Sequence, residues 1–190
     1  MRTRTATTLT AALLLSLTAC NSDKPKAAAA PPTTAAPTAA ASTTPPAPKY
    51  LTFGQAVKVS NPDVGNAATA TVLSYQQGGY KTQTSADQEF NTTGYVWATV
   101  EIKVCTTKGT VQTSRYPWVL AYDDGTRIEP SSVTYGDFPK PEYPYDAKIK
   151  AGDCVRGKTV FAVPGKQRPE RVVYTSELLP EPAEWAVPSK

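Results

Sequence analysis

Along residues 50–190, apolar and polar side chains alternate with a period of two, in short runs separated by Gly, Pro, Asn and Asp. That is the period of a strand with one face buried and the other in water. The clearest run is Tyr95 to Cys105, where Val96, Ala98, Val100, Ile102 and Val104 share one face and Thr99, Glu101 and Lys103 the other. The same pattern predicts strands at Gln55 to Ser60, Ala68 to Tyr75, Trp118 to Tyr122, Thr126 to Glu129, Lys158 to Val163 and Arg171 to Thr175. Asp123-Asp124-Gly125 lies between two of them and predicts a hairpin turn, because Asp-Gly accepts the positive φ such turns need. No helical periodicity is visible. The expected fold class is all-β, an antiparallel immunoglobulin-like β-sandwich of about seven strands forming one domain over residues 50–190.

The pattern changes before residue 50. Arg2 and Arg4 precede a short apolar run, Leu9 to Leu17, which is the layout of a secretory signal. The run is well below the roughly 20 residues needed to cross a bilayer core as a helix. Leu17-Thr18-Ala19-Cys20 resembles the lipobox of bacterial lipoproteins, in which the cysteine takes a diacylglyceryl group before cleavage. Residues 1–19 are therefore expected to be a lipoprotein signal peptide, with Cys20 as the lipidation site. The mature chain would then be anchored on the extracytoplasmic face of the cell membrane. From Ala27 to Pro48 the chain contains only Ala, Pro, Thr and Ser. Such a segment cannot bury a core, so 20–49 is expected to be a linker sampling polyproline II at about 3.1 Å per residue.

The formal charge of +4 falls to +2 once Arg2 and Arg4 leave with the signal. This near-balance argues against a nucleic-acid partner, which would ask for clustered Lys and Arg. The cysteine count says more. With Cys20 assigned to lipid, Cys105 and Cys154 remain, in a compartment where disulfides form. Both stand off the core face of their strands, since Val155, Thr159, Phe161 and Val163 form the core face of the later one. If the two strands are antiparallel neighbours, pairing Cys105 with Cys154 aligns Val104 with Val155, Val100 with Thr159 and Val96 with Val163, core against core. The expected bridge lies at a strand end on the outer face. No Cys-X-X-Cys setting is present, so its role is structural.

Four stretches together, Tyr95 to Val104, Trp118 to Gly125, Ile149 to Gly152 with Gly157 to Pro164, and Arg171 to Tyr174, are similar to a family of actinobacterial immunoglobulin-like lipoproteins of unknown function. The fold of that family resembles the secreted mycobacterial immunoprotective antigen. The resemblance spans roughly Phe53 to Ser176, and Cys105 departs from it, standing where the family commonly carries Asn. It implies a fold and an envelope location, with no known catalytic site.

The chain contains no histidine, which excludes Ser-His-Asp and Cys-His machinery and His-ligated metals. Asp123, Asp124, Asp137, Glu142, Asp146 and Asp153 match no calcium-loop spacing, and no cofactor or metal is expected. Asn91-Thr92-Thr93 fits a glycosylation sequon and is taken as a loop; Gly78-Gly79 lacks the strand-to-helix setting of a phosphate cradle. Two functions stand side by side. One is a non-catalytic, envelope-anchored recognition or structural module with an envelope protein or glycan as partner. The alternative is a histidine-independent hydrolase of wall glycan, which needs two carboxylates about 5 to 10 Å apart in a cleft. For the module, the candidate contact surface is the long connection Glu129 to Lys148, with Tyr135, Phe138, Tyr143 and Tyr145 among prolines. These rings either face a partner or fold back to cap the sandwich.

Overall fold

A computed structural model describes residues 49–189. The expected signal peptide, Cys20 and nearly all of the expected linker lie outside the described residues. Ten strands and one short helix follow in order: β1 (Ala56–Asn61), β2 (Asn66–Gln77), α1 (Ala86–Phe90), β3 (Tyr95–Lys108), β4 (Thr110–Ser114), β5 (Trp118–Ala121), β6 (Arg127–Ile128), β7 (Asp146–Lys150), β8 (Cys154–Pro164), β9 (Arg171–Tyr174) and β10 (Ala183–Ala186). They form a four-stranded sheet β1-β2-β3-β8, a second sheet β10-β9-β5-β6, and a ribbon β4-β7, with every pairing antiparallel. The chain is an all-β antiparallel sandwich.

The seven expected strands are all present, and β4, β7 and β10 are additional. The β3–β8 register is the one the cysteines required: Val104 faces Val155, Val100 faces Thr159 and Val96 faces Val163. Cys105 and Cys154 are directly opposite, bonded, with Cα atoms 4.0 Å apart. The Asp-Asp-Gly turn links β5 to β6, with Gly125 at φ 88 and its N–H donating to the Tyr122 carbonyl at 3.2 Å. The main core is shared between the sheets. Val72, Val100, Ile102 and Phe161 of the first meet Trp118, Leu120, Val172 and Trp185 of the second, all essentially sealed from water.

The outer face of β3 departs from simple alternation. Trp97 is buried there in a second, smaller cluster with Ala86 of α1, Phe138 of the long loop and Val160, and Thr99 is buried there with the Tyr80 hydroxyl 2.6 Å from its Oγ1. Trp97 donates its indole N–H to the Thr84 carbonyl at 2.9 Å, and Phe138 meets its ring edge-on at 4.9 Å between centroids. The helix that helps cover it is five residues long, too short to show periodicity, but its capping box was in the sequence: Ser85 accepts from Gln88 N while Gln88 Oε1 accepts from Ser85 N.

Candidate functional site

The 129–148 connection is held down over most of its length. Lys158 N donates to the Pro141 carbonyl at 2.8 Å and Tyr143 N to the Lys158 carbonyl at 2.9 Å, so residues 141–143 run along the free edge of β8. A Cβ at Gly157 would lie 2.5 Å from the Glu142 carbonyl carbon and the Tyr143 nitrogen. Only glycine lets the loop backbone approach that closely. Ser131 N also donates to the Val160 carbonyl, at 2.8 Å.

That docking divides the four aromatic candidates. Phe138 and Tyr143 are interior and are not contact surface, which corrects the expectation for these two. Phe138 is drawn down onto Trp97. The Tyr143 ring packs in the main core, its hydroxyl 2.6 Å from Thr113 Oγ1, and burial pushes its pKa up to about 12. Tyr135 is half-buried, its ring edge-on to Phe138 and its hydroxyl donating to Glu89. Tyr145 alone of the four is exposed.

Tyr145 has a neighbour that strand patterns did not single out. After β4, the tight turn Arg115-Tyr116-Pro117 returns the chain to β5, with Trp118 N donating to the Arg115 carbonyl at 3.3 Å. Tyr116 stands at its tip, 59% exposed, its ring centroid 6.4 Å from that of Tyr145. Beneath them Arg115 is 3% exposed. Its guanidinium lies 3.9 Å from the Tyr145 ring centroid and donates through Nη2 to the Tyr143 carbonyl at 2.6 Å. No carboxylate pairs with Arg115 among the described residues, so the charge is stabilised by a ring face and a carbonyl. The Tyr145 hydroxyl is tied to the Ser132 carbonyl at 2.7 Å. Tyr145 is thus presented from a packed base with little freedom left to lose on contact, and Tyr116 stands beside it at the tip of the turn. The signal for Tyr116 was its place between Arg115 and Pro117 in a turn, which no periodicity argument weighs.

The carboxylates weighed for a hydrolase or a calcium site are taken up by turns, an ion pair and a strand end. Asp124 accepts from Thr126 N at 2.8 Å, and bonding to Thr126 holds its carboxyl below the ordinary range. Asp137 accepts from Gln83 N at 2.6 Å, Glu142 pairs with Lys140 Nζ at 2.7 Å, and Asp146 opens β7 opposite Ser114. Asp123 is exposed in the turn before β6, and Asp153 in the turn before β8.

No family model matches the chain, and no curated protein does. Among solved structures, the chain is similar to the crystal structure of MPT63, a secreted protein from Mycobacterium tuberculosis. The two share 16% identity over 74% of this chain and 98% of that one, with a TM-score of 0.53. At that identity the likeness establishes the fold, an MPT63-like β-sandwich.

Proposed function

We propose that the protein is a non-catalytic lipoprotein of the actinobacterial immunoglobulin-like type, anchored through Cys20, whose sandwich domain is a recognition module at the cell envelope. The observation that carries this reading is the exposed Tyr116–Tyr145 pair, in which Tyr145 lies against the buried guanidinium of Arg115. Exposed aromatic rings on a rigid base supply contact area at low entropic cost, and Tyr is among the residues that concentrate binding energy at interfaces. The lipobox, the Cys105–Cys154 bond and the fold shared with a protein described as secreted support an extracytoplasmic setting.

Two experiments test the two halves. Cys20→Ser protein is expected to leave the membrane fraction while its domain melts as before; retention after a high-salt wash overturns the lipid anchor. Crosslinking on intact cells is expected to capture an envelope protein or glycan with the native chain and to lose it with the Tyr116→Ser, Tyr145→Ser double variant. Unchanged capture by that variant removes the tyrosine pair as the contact.

A further inference from the structure

Among the described residues, four large apolar side chains stand exposed: Val64, Phe90, Tyr116 and Tyr145. Three of them are joined. The Tyr116 ring lies 6.4 Å from that of Tyr145, the Tyr145 hydroxyl donates to the Ser132 carbonyl at 2.7 Å, and Ser132 lines a groove of about 440 Å³ that Phe90 also lines. Phe90 is 42% exposed and is backed by Trp97, edge-on at 6.0 Å between centroids. Ile128, Pro130 and Ala162 complete the apolar lining. Grooves of this size, with aromatic and aliphatic walls and a few polar groups, are where small ligands bind. Exposed apolar surface gathered in one place marks an interaction site.

The polar groups of the groove select among occupants. Tyr95 and Ser132 bring hydroxyls, and Glu129 brings its one lining charge, exposed and in no ion pair among the described residues. No Lys or Arg lines it, and α1, which carries Phe90, adds Asp87 and Glu89 with no base in its last turn. An anionic ligand is therefore repelled. An extended peptide is poorly served as well, because it docks by pairing with free backbone groups. The N–H groups of Thr92 and Tyr95 on one wall and of Ser131 on the other already donate, to the Asp87 carbonyl, the Asp87 carboxylate and the Val160 carbonyl. Aromatic faces set beside hydroxyls and a single carboxylate suit a sugar. The C–H face of a pyranose ring stacks on an aromatic ring, while its hydroxyls donate to a carboxylate and exchange bonds with Tyr and Ser.

We propose that the groove and the tyrosine pair form one binding site for an uncharged glycan chain. One sugar is seated in the groove against Phe90, with its hydroxyls at Tyr95, Ser132 and Glu129, and the chain continues over Tyr145 to Tyr116. The Ser132 carbonyl that holds the Tyr145 hydroxyl fixes the two parts side by side. The part over the tyrosines rests on the reading of that pair as the contact surface; the part in the groove does not.

The test uses the mature chain carrying Cys20→Ser, with the disulfide intact, and labelled hexasaccharides of glucose, mannose, galactose, arabinose and N-acetylglucosamine, with the galacturonic acid hexamer as the anionic counterpart. Fluorescence anisotropy is expected to show at least one neutral hexamer binding about tenfold or more tighter than the galacturonic one. Phe90→Ala is expected to weaken that binding about fivefold or more, and so is the Tyr116→Ser, Tyr145→Ser double variant. Because Phe90 is exposed, Phe90→Ala should melt within a few degrees of the parent. Glu129→Lys is expected to bring the galacturonic hexamer toward the affinity of the neutral one. Amide shifts on titration should centre on residues 90–95, 128–132 and 145. The proposal is overturned if no neutral hexamer binds, if the galacturonic hexamer binds as well as they do, or if Phe90→Ala leaves affinity unchanged. Crosslinked capture of an envelope protein that the tyrosine double variant loses, with no hexamer bound, overturns the glycan and leaves the tyrosine contact standing. Binding that Phe90→Ala loses and the tyrosine double variant keeps confines the sugar to the groove, which overturns the single site and the tyrosine contact together.

Discussion

Tyr143 and Tyr145 are two positions apart and do opposite things, because the chain leaves the β8 edge after Tyr143 and bends at Tyr145 into β7. Tyr143 is sealed in the core with its hydroxyl on Thr113, while Tyr145 lies over Arg115 at the surface. Tyr143→Ser is expected to cost about 3 to 5 kcal/mol in urea unfolding, the range for emptying a buried aromatic site. Tyr145→Ser should cost about 1 to 2 kcal/mol, the loss of a cation–π contact on a desolvated guanidinium. Equal costs would mean that the loop does not divide as described. Tyr143 also makes stability depend on alkaline pH. Its folded pKa of about 12 stands above the ordinary value of 10.0, so the folded state favours the neutral phenol. The stabilisation from that preference is complete below pH 10 and is lost as pH rises from about 10 through about 12. Tyr143→Phe, which cannot ionise, should therefore lose less stability over that interval than the parent when unfolding is followed by circular dichroism at each pH.

At the scale of elements, two local devices place the pieces that cover the outer face of the first sheet. The first is Asp87 in α1, whose carboxylate accepts from Tyr95 N at 2.7 Å, Gly94 N at 2.9 Å and Thr92 Oγ1 at 3.2 Å, clipping the helix to the start of β3. Hydrogen bonds from the Tyr95 and Gly94 N–H groups hold its carboxyl below the ordinary value of 3.8. This contribution is present above pH 3.8 and is lost as pH falls below it, so the acid limb of a melting-temperature profile should flatten in Asp87→Asn. The second is Gly157, where Gly157→Ala would drive a methyl into the loop backbone at 2.5 Å. Lifting residues 141–143 should lower the melting temperature and increase hydrogen exchange at Tyr143 and Lys158, whose amides bond across that contact. Neither device is periodic, which is why alternation did not reveal it. The β3–β8 pair was legible to the residue because two independent constraints, the even-numbered apolar face and the bond between two outward cysteines, admit one register. The β4–β7 ribbon was not, because each strand supplies a single large apolar residue to the core, Val111 and Ile149, and one such residue makes no period. Burial of Trp97 on the polar face of β3 depends on chain that arrives about 40 residues later, at Phe138, and no local window contains it. The tyrosine site was half legible for the same reason: Tyr145 stood out in an aromatic loop, whereas Tyr116 needs the fold to bring the two turns together.

At the scale of the whole molecule, the Cys105–Cys154 bond joins residues 49 apart that the sheet has already set face to face. The β3–β8 ladder continues from that pair to Tyr95 and Pro164, through a shared core of Val100, Ile102 and Phe161. The folded state thus needs no cross-link to hold this register, and the bond acts chiefly on the unfolded chain by closing a loop of that length. The chain-entropy account gives on the order of 4 kcal/mol for such a loop. For a domain of about 140 residues, 1 kcal/mol corresponds to about 3 to 4 °C, so reduction should lower the melting temperature by roughly 10 to 15 °C. The Cys105→Ala, Cys154→Ala double variant should give a similar loss while its circular dichroism below the transition matches that of the oxidised parent. Non-reducing peptide mapping of the oxidised protein should recover the two cysteines in one cross-linked fragment. If the double variant instead lost its sheet signal under native conditions, the bond would be holding the β3–β8 pair together, and the assignment of that task to the core valines and Phe161 would be wrong.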